Sequence, residues 1–239
     1  MKLYYDFHIH TALSPCGDDD MTPNNIVNMA LLKGLDAIAI TDHNSAKNVA
    51  ACMKCAEGTG LTVVPGMEIE TSEEVHMLAL FDSYEAVAEL DRIMESKMPP
   101  IKNRAEIFGE QIILDDNDNC TGVLDNLLIT ASMLDVNGAA ELVRGLGGVI
   151  IPAHIDKDSY SIVSNLGLIP EELCFSAVEI KDPSKINYIS LTNRIDKYLL
   201  LHNSDAHFLW DIHEKEFFIN AEENELGQII TVLKDGNRK

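Results

Sequence analysis

An α/β fold closing into a barrel is the class this sequence predicts, on three observations. Short apolar or β-branched runs recur along the chain, segments of helical period separate them, and 239 residues is the length one such barrel uses. The strand runs are residues 3–10, 37–43, 61–70, 75–81, 148–154, 177–180 and 199–207. Between them, residues 24–34, 45–60, 84–96, 133–148, 186–198 and 224–236 carry apolar side chains three and four apart, and several end on glycine. Repeated strand–helix alternation implies parallel strands with right-handed crossovers. Residues 98–126 break the rhythm with a Pro pair, an acidic run and no sustained period, which reads as an insertion or lid. One domain over residues 1–239 is expected.

Composition narrows the function classes. With 46% hydrophobic and 24% charged residues the chain is neither disordered, collagen-like nor a disulfide scaffold. A net charge of −21 disfavours a broad polyanion-binding surface, although bound cations would make one pocket attractive to phosphate. The start, MKLYYDFHIHT, reads as neither a signal peptide nor a membrane span, so a cytoplasmic protein with no membrane partner is expected. Five cysteines make an odd set that fits reduced thiols. Cys52 and Cys55 form a CxxC with no partner pair, which reads as two small residues on one helix face rather than a zinc ribbon.

Seven of the eight histidines (His8, His10, His43, His76, His154, His202 and His207) fall at or near the carboxyl end of a predicted strand. In a parallel barrel those ends meet at one mouth, so residues far apart in sequence converge there. His8 and His10 project from the same face of a strand and can grip one cation. Glu68 and Asp205 add anionic oxygen, giving a ligand mixture that suits Zn, Mn or Fe. His202 has the opposite parity to Asp205 and His207 and should point away. His213 reads as an ordinary loop histidine, or else as a proton donor at the mouth. Glu70 shares the parity of Glu68.

The ordered motifs HIHT, TDH, PGMEIE, VHMLAL, PAHID and NSDAH, from Asp6 to His207, resemble those of the PHP family, named for polymerase and histidinol phosphatase. That resemblance implies a distorted (β/α)7, TIM-like barrel holding two to three divalent transition metals and hydrolysing phosphate esters. It assigns His8, His10, Glu68 and Asp205 to a first metal. Glu68 would bridge to a second, completed by His76 and His154, while His43 and His207 would hold a third. The chain departs from the pattern at the third site, where Pro15 and Cys16 stand at the positions many members fill with Asp or His. A Cys16 thiolate, a carboxylate of Asp18, Asp19 or Asp20, or water are the open alternatives there.

The expected chemistry is attack of a metal-activated water on a phosphate ester, with His43, Glu68 and Asp205 at the reacting centre and Asp42 orienting His43 or a water. Lys157 and Lys181 follow strands at the same end and are candidates for holding substrate phosphate. The substrate is expected to be a small phosphomonoester, a nucleotide or the end of a short oligonucleotide, not long nucleic acid. No phosphate-cradling glycine motif occurs, so ATP or dinucleotide use has no support. The rivals are an amidohydrolase-type metal hydrolase, whose bridging ligand is usually a modified lysine on the fourth strand, and a non-catalytic, metal-stabilised binding module.

Overall fold

The computed structural model describes residues 1–236. In chain order its elements are β1 (Lys2–Ile9), α1 (Pro23–Leu32), β2 (Ala37–Ile40), α2 (Val49–Ala56), β3 (Thr62–Glu70), β4 (His76–Leu80), α3 (Tyr84–Glu95), α4 (Ala105–Phe108), β5 (Ile112–Leu114), β6 (Cys120–Val123), α5 (Val136–Gly145), β7 (Val149–Pro152), α6 (Ile162–Leu166), β8 (Ala177–Glu179), α7 (Ile186–Ser190), β9 (Leu199–Leu201), β10 (Phe218–Asn220) and α8 (Leu226–Asp235). All seven expected strands are present. Six strands form one sheet in the order β10-β1-β2-β3-β4-β7, and β8 pairs separately with β9.

The all-parallel expectation is corrected at β4. Strands β1, β2 and β3 are parallel, but β4 runs antiparallel to both β3 and β7, with Glu70 opposite His76. The cause is the link: residues 71–75 are too few for a crossover, which needs about a dozen. The chain therefore turns straight back, and His76, the first residue of β4, arrives beside the carboxyl end of β3. Single contacts carry the curl onward. Ile155 N donates to Glu179 O at 2.9 Å, joining the β7 and β8 ends, while His10 N donates to Ala206 O at 3.0 Å beyond β1 and β9. The result is a mixed α/β fold around a curled sheet, and not an unbroken ring of seven parallel ladders.

The sheet separates two apolar layers. Leu3, Tyr5, Phe7, Ala39, Val64, Leu78, Ile151 and Leu201 face inward, where α8 closes one end with Ile229, Ile230 and Leu233. Ile9, Ile38, Met67 and Met77 face outward against the helices. A fully buried side chain such as Phe7 or Phe81 contributes about 1.5–3 kcal/mol of transfer free energy. A register shift lies between Asp6 and Ile9 of β1. Such a bulge inserts one residue and resets the alternation, so that Phe7 and Ile9 fall in different layers and His8 and His10 project to the inside.

Residues 98–126 have structure of their own, α4 and the β5–β6 hairpin. Ile112 N donates to Ala12 O at 2.9 Å and Asn48 Nδ2 to Ile112 O at 3.0 Å, seating the hairpin beside the loop after β1. The helix expected over 186–198 is only α7 and a 3₁₀ turn at Ile195–Lys197, because Tyr188 and Leu191 find no core and stay exposed. Among the described residues no helix is long and apolar enough to cross a membrane, and all five cysteines are free thiols.

Candidate metal centre

Seven side chains from the ends of five strands and the loops beside them converge around Glu68, which is fully buried. His76 Nδ1 lies 2.9 Å from Glu68 Oε1, and His8 Nε2 and His154 Nε2 lie 3.3 Å from the same oxygen. His43 Nδ1 and His10 Nε2 approach Oε2 at 3.0 and 3.4 Å. Asp205 Oδ1 stands 3.5 Å from both His8 Nε2 and His10 Nε2. His207 packs its ring 4.2 Å from that of His10. Ligand atoms lie within 4.8 Å of one another in three overlapping groups: His8, His10 and Glu68; His43, Glu68 and His76; and His10, His43 and His207. His154 and Asp205 both have left-handed backbone, φ 27° and 51°, a strained conformation that breaks strand alternation at the point where each side chain must turn inward.

The hydrogen bonds behind the histidines fix their tautomers. Glu179, fully buried at the end of β8, accepts from His8 Nδ1 at 3.0 and 3.1 Å, so Nδ1 carries the proton. Ser14 Oγ donates to Asp42 at 2.7 Å and therefore accepts from His10 Nδ1 at 3.0 Å. Both imidazoles then turn Nε2 toward each other at 3.1 Å, with the Glu68 and Asp205 carboxylates alongside. A positive charge between them, a proton on His8 Nε2 or a bound metal ion in its place, balances the arrangement. Burial would deprotonate His8, yet Glu179, Glu68 and Asp205 outweigh it and hold its pKa well above the usual histidine value. His10, by contrast, is lowered to about 3 by burial and by His207, and stays a neutral ligand. Burial opposes charge on Glu68 too, but His76, His8 and His43 hold it well below the usual carboxylate range.

Three buried atoms in the cluster, His43 Nδ1, Glu68 Oε2 and His154 Nδ1, have no hydrogen-bond partner; the 3.0 Å approach of the first two is misaligned for one. His43 Nδ1 and Glu68 Oε2, unpaired and 3.0 Å apart, are the kind of buried nitrogen and oxygen that a divalent cation satisfies. The residues present therefore fit a metal cluster of the kind the sequence implies.

The Asp42 carboxylate accepts from Thr11 N, Thr11 Oγ1 and Ser14 Oγ at 2.7–2.8 Å, and Ser14 Oγ in turn accepts from His10 Nδ1 at 3.0 Å and His43 N at 3.2 Å, so Asp42 reaches both histidines through Ser14. Burial raises its pKa to about 6. Cys16, Asp18 and Asp19 join none of the three ligand groups among the described residues. Desolvation, then the Glu68 charge, push the Cys16 thiol up to about 12, which disfavours a thiolate there. Asp18 uses its carboxylate to accept from Asp20 N. Lys157 and Lys181 do reach the mouth, where both meet Asp205 Oδ2, at 2.6 and 3.2 Å. His202 points away and binds Ile180 O, and His213 packs on Phe217. Glu70 Oε2 sits 3.9 Å from His76 Nε2, and burial raises its pKa to about 7. Sequence reading missed Glu179 and Ser14. Glu179 had a signal, a carboxylate closing the apolar run AVE on the one strand given no ligand.

The family model for the PHP domain matches residues 6–141, more than half of the chain. The chain belongs to the PHP domain family. It is thus one of a family of metal-dependent hydrolases. Uncharacterized protein MJ1587 of Methanocaldococcus jannaschii is 38% identical over 76 residues, 28% of this chain and 44% of that protein. The 5'-3' exoribonuclease of Haemophilus influenzae is 23% identical over 193 residues, covering 64% of this chain and 69% of the relative. The lesion-specific endonuclease PfuEndoQ from Pyrococcus furiosus has the same fold, with a TM-score of 0.67 at 19% identity over 98% of this chain and 56% of that one. The chain therefore spans about half the length of the first and last of these. The matched PHP domain segment holds His8, His10, His43, Glu68 and His76, while His154, Asp205 and His207 lie beyond it.

Proposed function

We propose that this PHP domain hydrolyses a phosphate ester at the end of a short nucleic acid. The carrying observation is the convergence of five imidazole nitrogens, from His8, His10, His43, His76 and His154, on the buried Glu68 carboxylate with Asp205 alongside. His8, His10, Glu68 and Asp205 would hold one ion, with Glu68 shared to a second at His76 and His154. His43 and His207 remain for a third ion, because the one free nitrogen of His10 already serves the first. When bound, such ions, Mn, Zn or Fe, supply Lewis-acid charge that neutralises phosphoryl oxygens and makes water more acidic near neutral pH. Glu179 and Ser14 keep His8 and His10 turned toward the centre. Lys157 and Lys181 exchange their Asp205 contact for substrate phosphate, positioning it for in-line attack by water and departure of the ester oxygen.

The nucleic-acid reading revises the expectation of a small ester with no long nucleic acid. It is supported by relatives named as an exoribonuclease and an endonuclease. The −21 charge limits contact to the end that the cations attract. An amidohydrolase-type site would carry a bridging lysine, whereas Glu68 stands at the centre and the lysines touch only Asp205. To test the proposal, metal-loaded protein is offered labelled short oligonucleotides beside phosphomonoesters. Nucleotide release that stops on chelation is the expected result; turnover of phosphomonoesters alone would restore the small-ester reading, and no turnover would favour the binding module.

A further inference from the structure

The loop after β7 carries three groups that face the mouth: His154, Lys157 and Tyr160. Tyr160 lays its ring 4.9 Å from that of His76 at 34°, and among the described residues it is the only ring other than histidine packed on the six clustered imidazoles. The residue is 46% exposed, so part of the ring meets solvent. Its backbone is left-handed, φ 56°, a conformation that Gly or Asn adopts more readily than a bulky residue. The strained turn is pinned from both sides. His76 N donates to Tyr160 O at 3.0 Å, Ser161 Oγ donates to Lys157 O at 2.8 Å, and Ser161 caps α6. An aromatic ring is therefore held rigidly, half in solvent, against a side chain of the metal centre.

We propose that Tyr160 is a nucleobase seat, stacking the base of the nucleotide next to the phosphate being cleaved; this rests on the nucleic-acid reading above. A base offers a flat π face to the exposed part of the ring, and stacking on an aromatic tolerates any sequence. The charge balance points the same way. With 18 cations against 39 anions the protein has little with which to track a phosphate backbone, so grip beyond the metal centre comes from stacking.

Tyr160→Ala and Tyr160→Phe are compared with wild type on a short oligonucleotide and on the same oligonucleotide with an abasic nucleotide at the cleaved end. Tyr160→Ala should raise KM roughly 5-fold or more on the base-bearing substrate, with kcat changed far less, and leave the abasic one unaffected. Tyr160→Phe, which keeps the ring, should match wild type on both. Metal per chain, by elemental analysis, should be the same in all three proteins. Equal losses on both substrates, a Phe variant as impaired as the Ala variant, or metal lost from Tyr160→Ala would each overturn the proposal, because Tyr160 would then act through its hydroxyl or by propping His76. Wild type that cleaves phosphomonoesters but no oligonucleotide refutes the nucleic-acid reading itself, and this proposal with it; that case is recognised before any variant is made.

Discussion

Replacing Glu179 with glutamine should weaken metal binding without unfolding the chain. Glu179 accepts from His8 Nδ1 through both oxygens and from Asn203 Nδ2 at 3.2 Å. His8 Nδ1 and Asn203 Nδ2 both reach Oε2, so a glutamine oxygen placed there can still accept from each, but its NH2 then stands 3.1 Å from the His8 Nδ1–H, donor against donor. The bond to His8 also loses its charge, and a hydrogen bond to a charged group contributes about 1.5–3 kcal/mol. Loss of a partner that orients a ligating histidine costs about 10- to 100-fold in metal affinity, about 1.4–2.8 kcal/mol, so the two routes agree. Chelator competition on wild type and Glu179→Gln reads the affinity, and a thermal melt of the metal-free proteins separates it from unfolding. Unchanged metal affinity in a folded Glu179→Gln protein would refute the claim that this carboxylate fixes His8 as a ligand.

Three further outcomes are expected. Cys16→Ser and Asp18→Asn should leave metal content unchanged by elemental analysis, while His207→Ala should lower it, because the third ligand group is made of histidines. Asp42 has its pKa raised from 3.8 to about 6 by burial, so its contribution is fully present below the lower value and is lost as pH rises through the higher. In metal-free protein the stability of wild type relative to Asp42→Asn should therefore fall by about 3 kcal/mol between about pH 4 and pH 7, read from denaturant melts, and a flat difference would show that Asp42 titrates normally. Lys157→Ala should raise KM for any phosphate-bearing substrate while metal content holds; metal lost with it would assign Lys157 to steadying Asp205 instead.

Much of the site was legible because its ligands end apolar runs, and burying such runs forces a histidine or carboxylate at their end toward the same mouth. Glu68, His8, His10 and His154 were readable on that basis. Strand direction was harder to read. The five-residue link before β4 already excluded a crossover, but alternation elsewhere in the chain argued for parallel strands and hid it. Asp and His take positive φ more readily than most side chains, but that tendency is too weak to mark His154 or Asp205, and strict strand parity would have turned His154 away from Glu68. The braces were least visible. Ser14 and Asp42 matter through a hydrogen-bond chain to His10 and His43 that exists once the loop after β1 comes beside the end of β2. The β5–β6 hairpin was missed because its strands are three and four residues long and no core pattern marks them.

The central claim is that Glu68 organises a cation cluster that hydrolyses phosphate esters, and the most direct test joins metal content to turnover in one titration. Wild type and Glu68→Gln are purified after growth with Mn, Fe and Zn, analysed for metal per chain, and assayed on a labelled short oligonucleotide as metal is removed and restored. Wild type should carry about two or more ions per chain, with activity that follows their loss and return, and Glu68→Gln should be folded, depleted of metal and inactive. Wild type with less than one ion per chain, or hydrolysis that persists in Glu68→Gln, would contradict that claim.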